Sequence, residues 1–298
     1  MGNFFNSKEL LIDGITKLQF SKIPLPELDA RILLSYAINY QDIIYMHNDI
    51  SISKNEKNKF YDYLNKRIQG KPVSRIVGSR NFWKKNFLIN KYTLDPRQDS
   101  EVIVDIVTKT YSNSNKHIQI LDLGAGSGCI GLSIIDDLKN SSLLSLDICK
   151  QALEQVNINA KRLNVCKKLH YAQINWFEKT WIQNIKLITE NEKLFSKNKF
   201  DVIVCNPPYI KSTEIKKLQI EVKNYDPLIS LDGGIDGCDS YKAIFKDLSK
   251  LLSNNGVCFI EIGFDMLEDI KIILKETNLN LIKVYKDFQG HNRVIEIN

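Results

Sequence analysis

Two short stretches of this 298-residue sequence hold residue types that can do chemistry together: Asn206-Pro207-Pro208-Tyr209 and Asp122-Leu123-Gly124-Ala125-Gly126-Ser127-Gly128. The first is a set of acceptors on a stiff turn. The Asn206 side-chain oxygen and the Pro207 carbonyl can take both N–H bonds of a planar NH2 group, and two prolines restrict the turn that carries them. An NH2 on a carbonyl or an aromatic ring is a poor nucleophile because its lone pair is delocalised. Acceptors on both N–H bonds hold it in line with an electrophilic methyl and favour the charge that develops on nitrogen. Pro208 completes the turn, and Tyr209 can lie against the flat face of the target. No strong general base is required, since the proton becomes acidic only as the methyl arrives. A proline-rich turn after a strand is otherwise a common structural device, so its neighbours decide its meaning.

The second stretch supplies that context. Glycines at alternate positions allow a sharp strand-to-helix turn and a close ligand approach, and the helix start behind them presents unpaired N–H groups. A dinucleotide fingerprint needs glycine where Cys129 stands, so the spacing argues against a pyrophosphate ligand. It suits S-adenosylmethionine, which is adenosine joined to a free amino acid and carries no phosphate. Asp147, at the end of the next expected strand, can accept both ribose hydroxyls of an adenosine over the turn. Alone it would read as a helix cap. Together these residues define a methyltransferase: Asp122, Gly124, Ala125, Gly126, Ser127, Gly128, Asp147 and Asn206 hold the cofactor. Asn206, Pro207, Pro208 and Tyr209 receive the substrate, with Asn206, Pro207 and Tyr209 catalytic and no metal required.

The elements that must position these motifs follow from periodicity. Asn6 caps a first helix with Leu10, Leu11, Ile15 and Leu18 on one face, and Pro24 and Pro26 start a second with Leu28, Ile32, Leu33 and Ala37. Ser53 and Glu56 form a capping box for a third, with Phe60, Tyr63, Leu64 and Ile68, which Gly70 and Pro72 end. Aromatic and β-branched runs between Arg80 and Leu94 predict a hairpin with turns at Asn86 and at Asn90-Lys91. Strands then alternate with helices: strands over 118–122, 143–147, 169–173, 200–205, 256–262, 281–286 and 293–297, and helices over 129–138 and 150–163. Residues 178–199 read as a polar surface insertion. The expected fold is therefore α/β: a seven-stranded Rossmann-like methyltransferase sheet behind a small N-terminal helical bundle. Its expected domains are a helical docking domain over 1–78, a β-hairpin linker over 79–97 and a catalytic domain over 98–298.

Composition narrows the class. With 43% hydrophobic and 26% charged residues, the chain is an ordinary globular one. No apolar run reaches the roughly 18 residues a membrane span needs, and the start lacks a secretory pattern and, with Asn6, a myristoylation pattern. Six scattered cysteines read as reduced core thiols, and the chain is expected to be cytoplasmic. Charge is uneven: the first 85 residues carry 14 basic and 8 acidic side chains, and the remainder 27 of each. The whole net charge of +6 thus sits in this first segment, as a surface for an acidic partner or as a lysine-rich bias of the sequence.

On these residues the chain resembles the release factor glutamine methyltransferases, the HemK/PrmC family, over nearly its whole length. Pro72-Val73-Ser74-Arg75-Ile76-Val77-Gly78 with Asn81-Phe82-Trp83 looks like the family's approach to its hairpin. Leu94-Asp95-Pro96-Arg97-Gln98-Asp99-Ser100-Glu101 resembles its Pro-Arg-Pro-Glu/Asp-Thr/Ser-Glu signature, and Asn175-Trp176-Phe177 its Asp-Trp-Phe, whose Trp lies at the adenine. Tyr225-Asp226-Pro227-Leu228, Leu231 and Gly233-Gly234-Ile235-Asp236-Gly237 match the stretch after the catalytic turn. Two departures stand out: Gln98 replaces a proline, loosening a turn, and Asn175 replaces Asp, removing a carboxylate near the adenine. The resemblance implies methylation of the side-chain amide (N5) of the glutamine in the Gly-Gly-Gln motif of class one peptide chain release factors. It further implies Trp176 as a cofactor contact and a head that grips the release factor. A monomer acting without nucleic acid or membrane is expected. A ribosomal-protein glutamine methyltransferase would share the catalytic motif. An adenine-N6 methyltransferase would need a base-flipping surface, and the small head offers no Arg-rich, aromatic-lined one. A binding module with a vestigial cofactor site is disfavoured by the intact Asp147 and Asn206.

Overall fold

The computed structural model describes residues 4–196 and 198–298. Residues 1–3, which carry part of the N-terminal reading, lie outside the described residues. The chain divides into two compact units, one of residues up to Ser79 together with Gln219–Tyr225, the other of Arg80–Leu218 with Asp226–Asn298.

The first unit is helical. A short strand β1 (Phe5–Asn6) leads into α1 (Ser7–Phe20), where the Asn6 side chain accepts the Lys8 N–H as the capping residue. The second helix, α2 (Pro26–Ala37), begins on Pro26, and β2 (Ser51–Ile52) pairs antiparallel with β1. Next, α3 (Lys54–Ile68) carries the complete Ser53–Glu56 capping box, and α4 (Val73–Val77) follows Pro72. Leu11, Leu18, Leu33, Leu34, Phe60 and Leu64 close the core between these helices. Leu28 departs from the expected stripe. It is 43% exposed, because Ala30, Leu33, Leu34 and Ala37 take the inward face. A buried ion pair completes the unit: Arg67 Nε donates to Asp29 Oδ2 at 2.6 Å, and Arg67 Nη1 lies 2.6 Å from Glu221 Oε1.

From Arg80 the second unit begins within β3 (Ser79–Phe82), which with β4 (Lys85–Leu88) forms a two-stranded sheet. Its turn is Trp83-Lys84 rather than Asn86. Both residues take positive φ (48° and 59°), the twist a two-residue hairpin loop requires. The cost of that conformation, about 1–2 kcal/mol per non-glycine residue, is offset by anchors. The Trp83 main-chain N–H donates to Glu101 Oε1 and its indole to Asp137 Oδ2. The second expected turn is present, with the Asn90 side chain accepting the Tyr92 N–H.

Then come α5 (Glu101–Tyr111), β5 (Ile118–Leu123), α6 (Cys129–Asp137), β6 (Ser141–Asp147), α7 (Lys150–Arg162), β7 (Leu169–Gln173) and α8 (Trp181–Asn191). They are followed by β8 (Phe200–Cys205), the short α9 (Ile220–Lys223) that belongs to the first unit, α10 (Asp239–Leu248) and β9 (Leu252–Glu261). The chain finishes with α11 (Leu267–Lys275), β10 (Leu281–Lys286) and β11 (Asn292–Ile297). The sheet runs β10-β11-β9-β8-β5-β6-β7, parallel from β9 to β7 and antiparallel at the β11 side. Central strands alternate their apolar side chains between two layers. Leu121, Ile203 and Ile260 face one with Tyr241 and Phe245, while Ile120, Val202 and Phe259 face the other with Val107 and Ile134. Full burial of Phe200, Phe245 and Phe259 stabilises the fold by roughly 2–3 kcal/mol each.

Residues 178–199 are not a surface insertion. They contain α8, whose Trp181, Ile182 and Ile185 join Phe195 in the sheet core, so the segment is an amphipathic crossover. Four of the six cysteines are core thiols, Cys149 is partly exposed and Cys166 exposed. Among the described residues no helix is long and apolar enough to cross a membrane.

Candidate active site

The strand order reverses between β5 and β8, and in an open parallel sheet ligands bind outside the carboxyl ends at such a point. Leu123 and Cys205, the last residues of these two strands, are register partners, so the glycine turn and Asn206-Pro207-Pro208-Tyr209 leave the sheet side by side. A cavity of about 640 Å³ opens there. Gly124, Ala125, Gly126, Ser127, Asp147, Trp176, Asn206 and Pro208 line it, together with Ser100, Cys129, Ile148 and Asn175.

The floor is built from backbone. Gly124 and Ala125 N–H both donate to the Leu146 carbonyl at 2.9 Å, tying the turn to β6. Asp147 pins it further: Oδ2 accepts the Gly126 N–H at 2.8 Å and Oδ1 the Cys149 N–H at 2.8 Å. Burial raises the Asp147 carboxyl above its usual range, while these N–H groups oppose the rise. Each oxygen keeps a second lone pair for a further donor. Gly126 has φ +57°, and a side chain there would enter open space, the cradle a ligand would fill.

Two members of the expected cofactor set lie off the wall. Gly128 caps α6 in the left-handed conformation. Asp122 is buried beneath the turn, its Oδ2 accepting the Gly131 N–H at 3.2 Å, and desolvation pushes its carboxyl up to about 7. It braces the start of α6. Gly131 is needed for that approach, since a Cβ there would stand 2.6 Å from Asp122 Oδ2.

One wall of the cavity is Ile174, Asn175, Trp176 and Phe177. The Trp176 indole N–H is buried with no acceptor among the described residues. Asn175 Oδ1 accepts the Phe177 N–H at 3.0 Å, so the residue in place of the family's Asp still shapes the turn. Gln98 opens a single 3-10 turn (Gln98–Ser100), and the preceding Arg97 pairs with Asp226.

The opposite lip differs from expectation in two respects. Asn206 and Pro208 line the cavity, while Pro207 is buried behind them. Tyr209 is also off the wall: its hydroxyl donates to Glu261 Oε1 at 3.3 Å, and burial raises its phenol. The ring is thus packed behind the wall, and not on it where a plate for the target would lie. Asn206 Nδ2 donates to Ser100 Oγ at 3.0 Å, and Ser100 Oγ donates to Glu261 Oε2 at 2.5 Å. Beyond Tyr209, Ile210 pairs with residues 231–233, which brings Leu228, Ile229, Ser230 and Asp232 to the wall.

Ser100 stood in the sequence only as part of the family signature, and Glu261 was not singled out. A signal was present. The apolar strand run of β9 ends in an acid, Glu261, as β6 ends in Asp147 and the run of β5 reaches Asp122. Burial pushes the Glu261 carboxyl up to about 7, opposed by the Ser100 hydrogen bond and the Arg293 charge.

Sheet order, crevice position and lining together are those of a Rossmann-like methyltransferase. A family profile described as "Methyltransferase small domain" matches residues 97–222, and one described as "PrmC N-terminal domain" matches residues 9–78. A release factor glutamine methyltransferase of Agrobacterium fabrum is 33% identical over 96% of this chain and 94% of its own length. One of Clostridium botulinum is also 33% identical, over 97% and 98%. The chain therefore belongs to the release factor glutamine methyltransferase family. A bifunctional methyltransferase of Rickettsia typhi is 34% identical over 98% of this chain, which spans 57% of that relative. Among solved structures, the hMettl16 catalytic domain in complex with an RNA hairpin shares the fold, at TM-score 0.51 and 13% identity, over 71% of this chain and 73% of that one.

Proposed function

We propose that this protein transfers a methyl group from S-adenosylmethionine to the side-chain amide nitrogen of the glutamine in the Gly-Gly-Gln motif of class one peptide chain release factors. The observation that carries the reading is the Asn206 carboxamide on the cavity wall, one strand away from the glycine floor, in a chain of this family. The cofactor supplies an electrophilic sulfonium methyl when bound. The chain's own residues do the rest. Asp147, with one lone pair free on each oxygen, accepts the ribose hydroxyls, and the buried Trp176 N–H finds its acceptor on the adenine edge. Asn206 Oδ1 accepts an N–H of the glutamine amide, orients its nitrogen and stabilises the positive charge that grows there. Pro207 and Pro208 keep that oxygen in place at no entropic cost on binding. Leu228 and Ile229, both exposed at the cavity mouth, cover the bound loop and exclude water.

The helical unit carries a net positive charge, with Arg80, Lys84 and Lys85 following it in the chain, and grips the acidic body of the release factor, so that binding energy far from the reacting amide is used to position it. The reaction belongs in the cytoplasm, where peptide chain release occurs. Incubating the purified protein with S-adenosylmethionine and a class one release factor, then sequencing by tandem mass spectrometry, tests this. One added methyl on the glutamine of Gly-Gly-Gln is expected. A methyl on another residue, or none on the factor and one on adenine of added RNA, overturns it.

A further inference from the structure

A carboxamide has a donor end and an acceptor end that differ little in shape, and methyl transfer to an amide nitrogen needs the acceptor end at the cavity. In Asn206 the two ends are sorted by a hydrogen-bond chain. Nδ2 donates to Ser100 Oγ at 3.0 Å, and Ser100 Oγ donates to Glu261 Oε2 at 2.5 Å. A serine hydroxyl has one proton. Once that proton is committed to a carboxylate, the oxygen can only accept, and the NH2 of Asn206 is the end that satisfies it. Oδ1 is left to the cavity, bonded to no donor among the described residues.

We propose that Glu261, acting through Ser100, is a positioning residue that holds the Asn206 oxygen toward the substrate amide, and that protonation of Glu261 switches the site off. This rests on the function proposed above. The switch is a reversal of polarity with one proton taken up and no covalent bond changed. Protonated Glu261 becomes a donor to Ser100 Oγ, and the Ser100 proton is then free to meet Asn206 Oδ1. The amide turns over and offers NH2 to the cavity, where it opposes the N–H groups of the substrate.

The surroundings set the pH at which this happens. Glu261 is only 1% exposed at the end of β9, and its desolvation is the largest influence on it. Ser100 and Tyr209 donate to it, Arg293 of β11 favours its charge, and Asp99 beside Ser100 opposes it. Arg293 is itself held by Asp287 at 3.0 Å and lies 3.4 Å from Asp99. The neutral Tyr241 hydroxyl donates to the Glu261 main-chain carbonyl, and the buried Cys205 thiol of β8 also feels the carboxylate. The balance leaves the carboxyl at about 7, so the ionised, active arrangement dominates above neutrality and is lost below it.

The test measures kcat for release factor methylation against pH with both substrates saturating. Wild-type protein is expected to lose activity on an acid limb of unit slope with its midpoint near neutrality, while its Kd for S-adenosylmethionine stays flat. Ser100→Ala should lower kcat by roughly 10²-fold, the scale of a misplaced reacting group, with cofactor affinity kept. Ser100→Thr, which retains the hydroxyl, should recover most of that loss. Glu261→Gln should lower kcat and abolish the acid limb. In infrared difference spectra of wild type against Glu261→Gln, the carboxylic acid band should titrate with the midpoint of kcat. A wild-type profile flat through neutrality, or variants that bind cofactor normally and keep wild-type kcat and limb, overturns the proposal, as does an infrared midpoint far from neutrality. If wild-type protein leaves the release factor unmethylated, the function proposed above fails instead. The infrared titration then still reports whether Glu261 changes charge near neutral pH.

Discussion

The floor and the lip of the cavity are made in opposite ways. The floor is local: residues 124–126 are tied by main-chain hydrogen bonds to Leu146 and by one carboxylate, Asp147, on the adjacent parallel strand. Its directionality comes from backbone that cannot rotate away. The lip is assembled from three segments far apart in sequence: Ser100, the turn that holds Asn206 and Tyr209, and Glu261 at the end of β9. Its directionality depends on where one hydroxyl proton sits. A floor of this kind holds a constant ligand at any ordinary pH, whereas a lip of this kind can be misoriented without being unfolded. Binding and chemistry should therefore separate cleanly under mutation.

The largest separation is expected for Asn206→Ala, which should lower kcat by about 10²–10³-fold and leave the calorimetric Kd for S-adenosylmethionine nearly unchanged. A parallel rise in Kd would erase the distinction between floor and lip. Asp147→Ala should do the converse. Cofactor Kd should rise by roughly 10- to 100-fold, the worth of hydrogen bonds to a charged group, while kcat at saturation falls only a few-fold. A large fall in saturated kcat would mean that the floor also orients the reaction.

Gly131→Ala tests the brace below the floor. Its new methyl would meet Asp122 Oδ2 at 2.6 Å and Leu143 Cδ2 at 2.9 Å. A loss of about 1–3 kcal/mol of stability, read by denaturant melts, is expected, with part of the strain passed to the turn as weaker cofactor binding. Trp176→Phe gives the smallest change. It removes a buried N–H with no acceptor among the described residues, so the free protein should become slightly more stable. Cofactor Kd should rise by about 2- to 10-fold. An unchanged Kd would show that the indole nitrogen meets nothing on the ligand.

Much of this molecule was legible before any coordinates. Strand β8 falls at the expected residues because a parallel strand buried on both faces is a short apolar run, and such runs are hard to mistake; the half-exposed edge strand β7 also falls where expected. The caps Asn6 and Ser53–Glu56 are local hydrogen-bond chemistry and appear as read. Misreadings occurred where local preference yielded to packing. Asn86 is a better turn residue than Trp83 or Lys84, yet the hairpin turns at those two because Asp137 and Glu101 hold Trp83. Residues 178–199 look polar along the chain, but Trp181 and Ile185 share one helical face and that face finds the sheet. The unit that begins the chain recruits Gln219–Tyr225 through Arg67 and Glu221, a partnership no sequence spacing announces.

By itself the sequence determined the alternation of strands and helices, the glycine floor, the acid that pins it and the asparagine turn. All of these follow from residues a few positions apart, whose backbone preferences and periodicity act over single turns and strands. Only the tertiary structure decided that Asn206 and Pro208 line the cavity while Pro207 and Tyr209 do not, and that Ser100 and Glu261 join Asn206 in one hydrogen-bond chain. Those outcomes depend on side chains separated by up to 161 positions meeting at one strand end. The sheet must close before a single hydroxyl proton has only one place to go.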